Sequence, residues 1–274
     1  VSCMWHWNVP KFAPVEENIA ATVWEGETVM GNWTGNIDLR KSEGFDASVF
    51  DKAKVGDYII VRVKDLDATA GWWQGSVKNA SWTDLTTGSG VVDLTSAQTS
   101  YAVQLTEDVL NEVKENGLVI SGCNHTATGV YIGTPATVYN LKTDYTYKPD
   151  ETTFDAANAT VEGTWENKVF TSDMAAVTAY LKLLKDADIP VLWRPFHEAA
   201  GGWFWWGAQG PDAYKKLWKY LYNELTNTYG CNNLIWVYNG QSADWYPGDE
   251  YVDIVGEDIY PGNHVYDPQV SRFK

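Results

Sequence analysis

The sequence predicts an α/β fold, part of a (β/α)8 TIM barrel, into which an antiparallel β-sandwich is inserted. Three observations predict it. Beyond Tyr145, nearly continuous apolar strands alternate with amphipathic helical stretches, the pattern of a parallel sheet covered by helices. Residues capable of chemistry follow four of the strands at their C-terminal ends, the rim on which barrels build their sites. From residue 28 to 132 the texture is instead short strands at roughly ten-residue spacing, separated by Gly, Asp, Asn and Ser. An open α/β sheet is the alternative to the barrel.

Residues 1–7 read as a short buried strand ending in polar and aromatic residues, and a loop with Asn8, Pro10 and Pro14 follows. Inside the inserted region the clearest strand is 57–63. Others are 90–94, 101–105, 117–121 and 129–132, with a short helix over 107–115 that starts after Thr106. Ser172 is expected to cap a helix over 173–186, which places Met174, Val177, Tyr180, Leu181 and Leu184 on one face. Residues 189–193 form a strand. A helix over 211–229 has Tyr214, Leu217, Leu221 and Leu225 at helical spacing and Gly230 beyond its end. Residues 234–238 and 252–256 are the last two strands.

A chain of 274 residues with 45% hydrophobic content suffices for one large domain or two ordinary ones. Its formal net charge of −16 argues against nucleic acid and anionic membrane surfaces, which select basic patches. A neutral ligand stays open. The 15 Trp and 16 Tyr exceed what a core of this size requires. Their flat apolar faces suit the C–H faces of pyranose rings; a Trp-rich core is the structural alternative. Cys3, Cys123 and Cys231 fit no metal or redox spacing and read as buried thiols, with their pairing open. No metal or organic cofactor is implied. The chain starts at Val1 with no leader, as a processed or trimmed polypeptide would, and is expected to be secreted, periplasmic or at the cell surface.

Hydrolysis of a β-glycosidic bond needs one carboxylic acid to protonate the leaving oxygen and a second carboxylate to attack carbon or activate water. Glu198 is the candidate acid. It ends an apolar strand beside His197 and precedes Ala-Ala-Gly-Gly and then Trp203-Phe204-Trp205-Trp206. An aromatic setting disfavours the charged carboxylate and raises its pKa, as a proton donor requires. Arg194 is expected to orient the second carboxylate or a neighbour. A structural ion pair between Glu198 and Arg194 is the competing reading.

The stretch Trp193-Arg-Pro-Phe-His-Glu-Ala-Ala-Gly-Gly-Trp-Phe-Trp-Trp-Gly207 closely resembles the acid/base segment of glycoside hydrolase family 26. Trp5-His6-Trp7-Asn8-Val9-Pro10 resembles that family's strand-end His motif, and the run from Val252 to Tyr260 its sixth-strand motif. The resemblance covers about residues 1–14 and 142–270. It implies a barrel enzyme of the endo-β-1,4-mannanase kind with Glu198 as acid/base. His197, Arg194, Tyr260 and Asp258 would support the site, Tyr260 by hydrogen-bonding the nucleophile. His6, Trp203, Trp205 and Asn239 would meet the sugar, Trp203 by stacking. For His6 a core histidine, and for Asp258 a loop cap, are the structural alternatives. The family's nucleophile is a Glu from the seventh strand, which the sequence does not reach before Lys274; Glu250 and Glu257 do not stand where it should. The expectation is a partial barrel, its remaining segment another chain or an omitted region.

The expected division is 1–22 barrel, 23–141 insert and 142–274 barrel strands four to six. The insert resembles, more loosely, the carbohydrate-binding modules of bacterial glycanases, and βα loops tolerate such insertions. Trp72, Trp73 and Trp82, with Gln74, are its candidate glycan contacts. Adjacent Trp72 and Trp73 point to opposite faces of a strand, so one of the two meets ligand. A spacer with a Trp-filled core is the alternative. The function expected is retaining hydrolysis of mannan, glucomannan or galactomannan. A β-glucanase or β-1,3-xylanase on the same barrel, or a non-catalytic glycan-binding protein, are the other readings.

Overall fold

A computed structural model describes residues 1–85 and 91–260. The expected strand start at Gly90 and the end of the family-like segment beyond Tyr260 lie outside the described residues. In chain order the first strands are β1 (Ser2–Trp5), β2 (Val9–Pro10), β3 (Asn18–Arg40), β4 (Tyr58–Lys64), β5 (Trp73–Asn79), β6 (Val92–Leu94) and β7 (Ser100–Gln104). Helix α1 (Glu107–Asn116), β8 (Gly117–Thr134), β9 (Tyr145–Thr146) and α2 (Trp165–Asp186) follow. The chain continues through β10 (Val191–Pro195), α3 (Gly210–Asn223), β11 (Leu234–Tyr238) and β12 (Ile254–Val255). It divides into two compact units, Val1–Ala13 with Tyr139–Lys274, and Pro14–Val138. The expected joins at 22/23 and 141/142 differ from these, the first because residue 22 lies inside β3.

The first unit is built on a parallel sheet in the order β1-β10-β11-β12, with Cys3 opposite Trp193 and Trp193 opposite Trp236. One face is covered by α2 and α3. Phe170, Met174, Val177 and Leu181 from α2 meet Tyr214, Leu217, Trp218 and Leu221 from α3 over Val191, Trp193 and Trp236. On the other face Met4, Leu192 and Ile254 are exposed. Helix α2 starts well ahead of Ser172, because the Thr164 hydroxyl accepts the Asn167 N–H at 3.1 Å and the apolar stripe extends back through Phe170. β10 starts two residues later than expected, since the Ile189 N–H returns to Leu184 O at 2.9 Å and Pro190 offers no donor. Helix α3 is shorter than expected and passes into a π-turn at Glu224–Thr228.

The second unit is antiparallel. β8 is its axis, paired with β3 along one edge and with β5 and then β4 along the other; β6 extends β5 and β7 extends β4. The two strands expected at 117–121 and 129–132 are one. Asn124, at φ 60, and a register shift between Asn32 and Asn36 irregularise the ladder without ending it. Met30, Phe50, Ile59, Val61, Val77, Leu118, Ile120, Val130 and Ile132 form its core. Helix α1 is capped by the Thr106 hydroxyl. Cys3, Cys123 and Cys231 are all free thiols.

Candidate active site

Four parallel strands deliver the site. Residues 6 and 7 leave β1, 196–198 leave β10, 239–241 leave β11, and 256–260 leave β12. Past β10 the backbone enters the left-handed region twice, at Phe196 (φ 52) and Glu198 (φ 50). Each such non-glycine residue costs on the order of 1–3 kcal/mol, held by its surroundings. Phe196 is buried in the core, stacked on Trp7 at 5.8 Å. The Glu198 N–H is fixed by Asn239 O at 2.7 Å.

Glu198 is 6% exposed, and its Oε1 accepts the Tyr260 hydroxyl at 2.6 Å. The ring of Tyr260 is 80% exposed, so it reaches in from the surface by its hydroxyl. That bond, with burial and the charges of Glu198 and Asp258, holds the phenol above its ordinary pKa. Arg194 does not pair with Glu198. Its Nη1 donates to Asp258 Oδ1 at 2.6 Å and Asn239 Oδ1 at 2.9 Å, and its Nη2 to Met4 Sδ at 2.7 Å. The competing ion-pair reading is therefore replaced by an Arg194–Asp258 pair, which leaves Glu198 to Tyr260.

His197 is buried, and its Nδ1 has no hydrogen-bond partner. Burial first, then Arg194 and His6, lower its pKa; burial also lowers that of His6. The rings of His6 and His197 lie 5.7 Å apart. His6 is exposed and borders a groove of about 650 Å³ with Tyr147, Lys148, Pro149, Asp150, Gly202, Trp203 and Phe204. Glu198 and His197 are not among the lining residues; of the two histidines His6 borders the groove, with the His197 ring behind it. Gly202 turns the loop at φ 73, and Trp203 stands 54% exposed beside it.

Two expected sugar contacts are corrected. Trp205 is 0% exposed, donates Nε1–H to Trp7 O at 2.8 Å and packs on Phe154, so no face is free to stack. Asn239 is fully buried, with its amide committed to Arg194 and to Gly256 O. In the second unit Trp73 turns toward the core and donates to Asp67 O at 2.9 Å, and the Gln74 amide is bound to Asp93 at 2.8 Å. Trp72 and Trp82 are exposed, Trp82 with the Arg40 guanidinium over its ring at 5.7 Å. Exposed Trp33 was missed, since nothing in the sequence marks its left-handed φ of 60. Tyr147 and Gln241 were missed as well. Tyr147 lies edge-on to His6 at 4.5 Å, and Gln241 stands two residues beyond a strand end already flagged at Asn239. No cluster of three or more metal-ligating side chains occurs among the described residues.

A family model, glycosyl hydrolase family 26, matches residues 67–272, more than half of the chain. A mannan endo-1,4-beta-mannosidase of Thermothelomyces thermophilus is 54% identical over 114 residues, 40% of this chain and 23% of that protein. Mannan endo-1,4-beta-mannosidase A of a Piromyces species is 43% identical over 130 residues, 47% of this chain and 21% of the other. The chain thus spans about a fifth of the length of these curated relatives. Among solved structures, a beta-mannanase from a symbiotic protist of the termite Reticulitermes speratus, complexed with gluco-manno-oligosaccharide, is 45% identical. Its TM-score is 0.46, with 48% of this chain and 42% of that one covered.

Proposed function

The chain belongs to glycosyl hydrolase family 26, and on that premise we propose that it carries the acid/base half of a retaining endo-β-1,4-mannanase. The observation that carries the reading is Glu198. It is a carboxyl at the end of a parallel strand, nearly buried and bonded at 2.6 Å by a tyrosine that follows β12, two strands along the sheet; the loop that comes next carries Trp203 to a groove lined also by His6. The naming of the relatives as mannan endo-1,4-beta-mannosidases supports the substrate.

In this reading the four parallel strands are part of a (β/α)8 barrel, and the nucleophile comes from outside these residues. Double displacement then needs the two carboxyls about 5–5.5 Å apart. Glu198 gives its proton to the leaving oxygen and later takes one from water. Trp203 and His6 hold the sugar, His197 backs His6, and Arg194 with Asp258 fixes the sixth-strand end. The second unit is a glycan-binding β-sandwich whose contacts are Trp72 and Trp82, and the protein works outside the cytoplasm, where the polymer is met.

The test is Glu198→Gln in the full-length enzyme, assayed on manno-, gluco- and xylo-oligosaccharides in parallel. Mannan turnover falls by about 10²–10⁴ with the fold intact, and the wild type releases product with retained anomeric configuration. Unchanged turnover removes the assignment of Glu198; preference for another sugar removes the substrate.

A further inference from the structure

We propose that Trp33 joins Trp72 and Trp82 in one platform on the second unit, and that this platform takes a neutral β-linked sugar chain rather than a single sugar. The inference rests on the glycan-binding reading of that unit given above. Of the five tryptophans in the unit, Trp24 and Trp73 pack against its core. Trp33, Trp72 and Trp82 do not, and they stand 37, 46 and 43% exposed. All three lie around the first half of β8. Asn32 of β3 and Gln74 of β5 face Cys123 from its two sides. Trp33 follows the first of them and Trp72 stands two residues before the second. Their strands are thus two interstrand spacings apart, about 10 Å. Trp82 lies past the other end of β5, where Asn79 pairs with Leu118. Five residues of β8 separate that level from Cys123, about 17 Å. Such gaps are wider than one pyranose ring, so a ligand that touches two of the indoles is a chain.

Each ring is held from behind. Between Asn32 and Asn36 β3 carries two more residues than β8 does between Cys123 and Ser121, and Trp33 stands in that bulge. The bulge is packed tightly, since a Cβ at Gly35 would overlap the Val29 carbonyl. The Trp72 carbonyl accepts the Asn124 amide at 3.0 Å, and the Asp67 N–H donates to Asn124 O at 2.9 Å. The turn that bears Trp82 is closed by Asn79, whose Oδ1 accepts the Ser81 and Thr83 N–H groups. Trp33 and Trp82 are in left-handed backbone, a conformation that costs stability and is kept where a side chain must be aimed. Rings fixed in advance lose little freedom when a ligand stacks on them. The charges beside them are turned on one another. Arg40 is paired with Asp38 and Lys78 with Asp84, and the Gln74 amide is bound to Asp93. With a net charge of −16 on the chain, an uncharged partner is favoured over an anion.

The test is a titration of the full-length protein with mannohexaose and with cellohexaose, in a Glu198→Gln background so that the sugar is not consumed. Indole N–H signals are followed by NMR and identified by their loss in Trp33→Phe, Trp72→Phe and Trp82→Phe. With at least one hexasaccharide the Trp33 signal moves together with those of Trp72 and Trp82 on one saturation curve, and mannose moves none of them as far. Trp33→Ala weakens that binding about tenfold, read from the Trp72 signal, as expected when roughly 60 Å² of ring face is withdrawn. Trp33→Phe, which keeps a smaller ring, loses less. A Trp33 signal that stays still while those of Trp72 and Trp82 move overturns its role, and equal shifts with mannose overturn the chain. If none of the three moves, the glycan-binding reading of the unit falls as well. The assignment of Glu198 is untouched by any of these outcomes, because it is read from hydrolysis.

Discussion

Tryptophan is used in opposite ways in the two units. In the parallel unit Trp7, Trp193, Trp205, Trp206, Trp218 and Trp236 are buried and Trp203 is exposed. In the antiparallel unit none of Trp24, Trp33, Trp72, Trp73 and Trp82 is buried, and Trp33, Trp72 and Trp82 are exposed. The parallel sheet must be covered on its helical face, and large rings with one N–H fill that space while their donors find carbonyls, as Trp205 and Trp206 do with Trp7 O and His197 O. The antiparallel unit packs its interior with Ile, Val and Leu instead. A high tryptophan count therefore has two causes in one chain, and only position separates them.

The sharpest break between these uses lies two residues apart. Trp205→Ala should cost the parallel unit about 3–5 kcal/mol, read from denaturant unfolding. Trp203→Ala should change stability by less than about 0.5 kcal/mol yet weaken oligosaccharide binding. Equal stability losses in the two variants would erase the distinction.

A second comparison is by pH. His197 in the parallel unit and His125 in the antiparallel one are both buried, and burial pulls each pKa below the ordinary 6.5. Each takes up a proton less readily in the folded protein than in the unfolded chain. Their stabilising share is complete above 6.5 and is lost as pH falls toward the folded values. Amide exchange should show both units weakening on acidification. His125→Asn should flatten the profile in residues 14–138 alone, and a profile unchanged by that substitution would refute the His125 share.

The smallest effect concerns the exposed rings. Trp33 and Trp82 stand at φ 60 and 65, a strain of about 1–2 kcal/mol, partly offset by the roughly 0.5–1 kcal/mol of chain freedom that glycine brings. More than half of each residue is still covered, so Trp33→Gly and Trp82→Gly should destabilise the antiparallel unit, but by less than the about 3–5 kcal/mol of Trp205→Ala because the strain is relieved. A loss as large as that of Trp205→Ala would mean these indoles pack as core.

Much of this was legible in the sequence, for reasons visible in particular residues. Strand 234–238 and the Thr106-capped helix carry their own signals, an apolar run and a cap, and the structure has both. Periodicity placed β4 and β7 to within a residue. β3 and β5 escaped because Gly, Asn and Thr interrupt the alternation of β3, whose irregular register absorbs them, and because β5 reads Trp-Gln-Gly-Ser. At the site, the strand ends carry Glu198, His6 and Tyr260, but the Tyr260 hydroxyl, expected on the nucleophile, goes to Glu198 instead. What they could not show is direction. Trp203 and Trp205 look alike in a row of aromatics, and only packing sends one outward. Nor does spacing reveal that Arg194 reaches Asp258, 64 residues away.

The ends of the antiparallel unit return to the same place. Asn18 faces Thr134, and just outside them Val15 and Thr137 exchange two hydrogen bonds, at 2.8 and 3.0 Å. On the other unit, Lys11 N–H meets Asp144 O at 2.8 Å next to the β2–β9 pair. Entry and departure are thus about one interstrand spacing apart, roughly 5 Å. A segment whose two ends are paired this closely can change in length while the gap between those ends stays as it is, each doubling costing only about 0.6 kcal/mol of closure entropy.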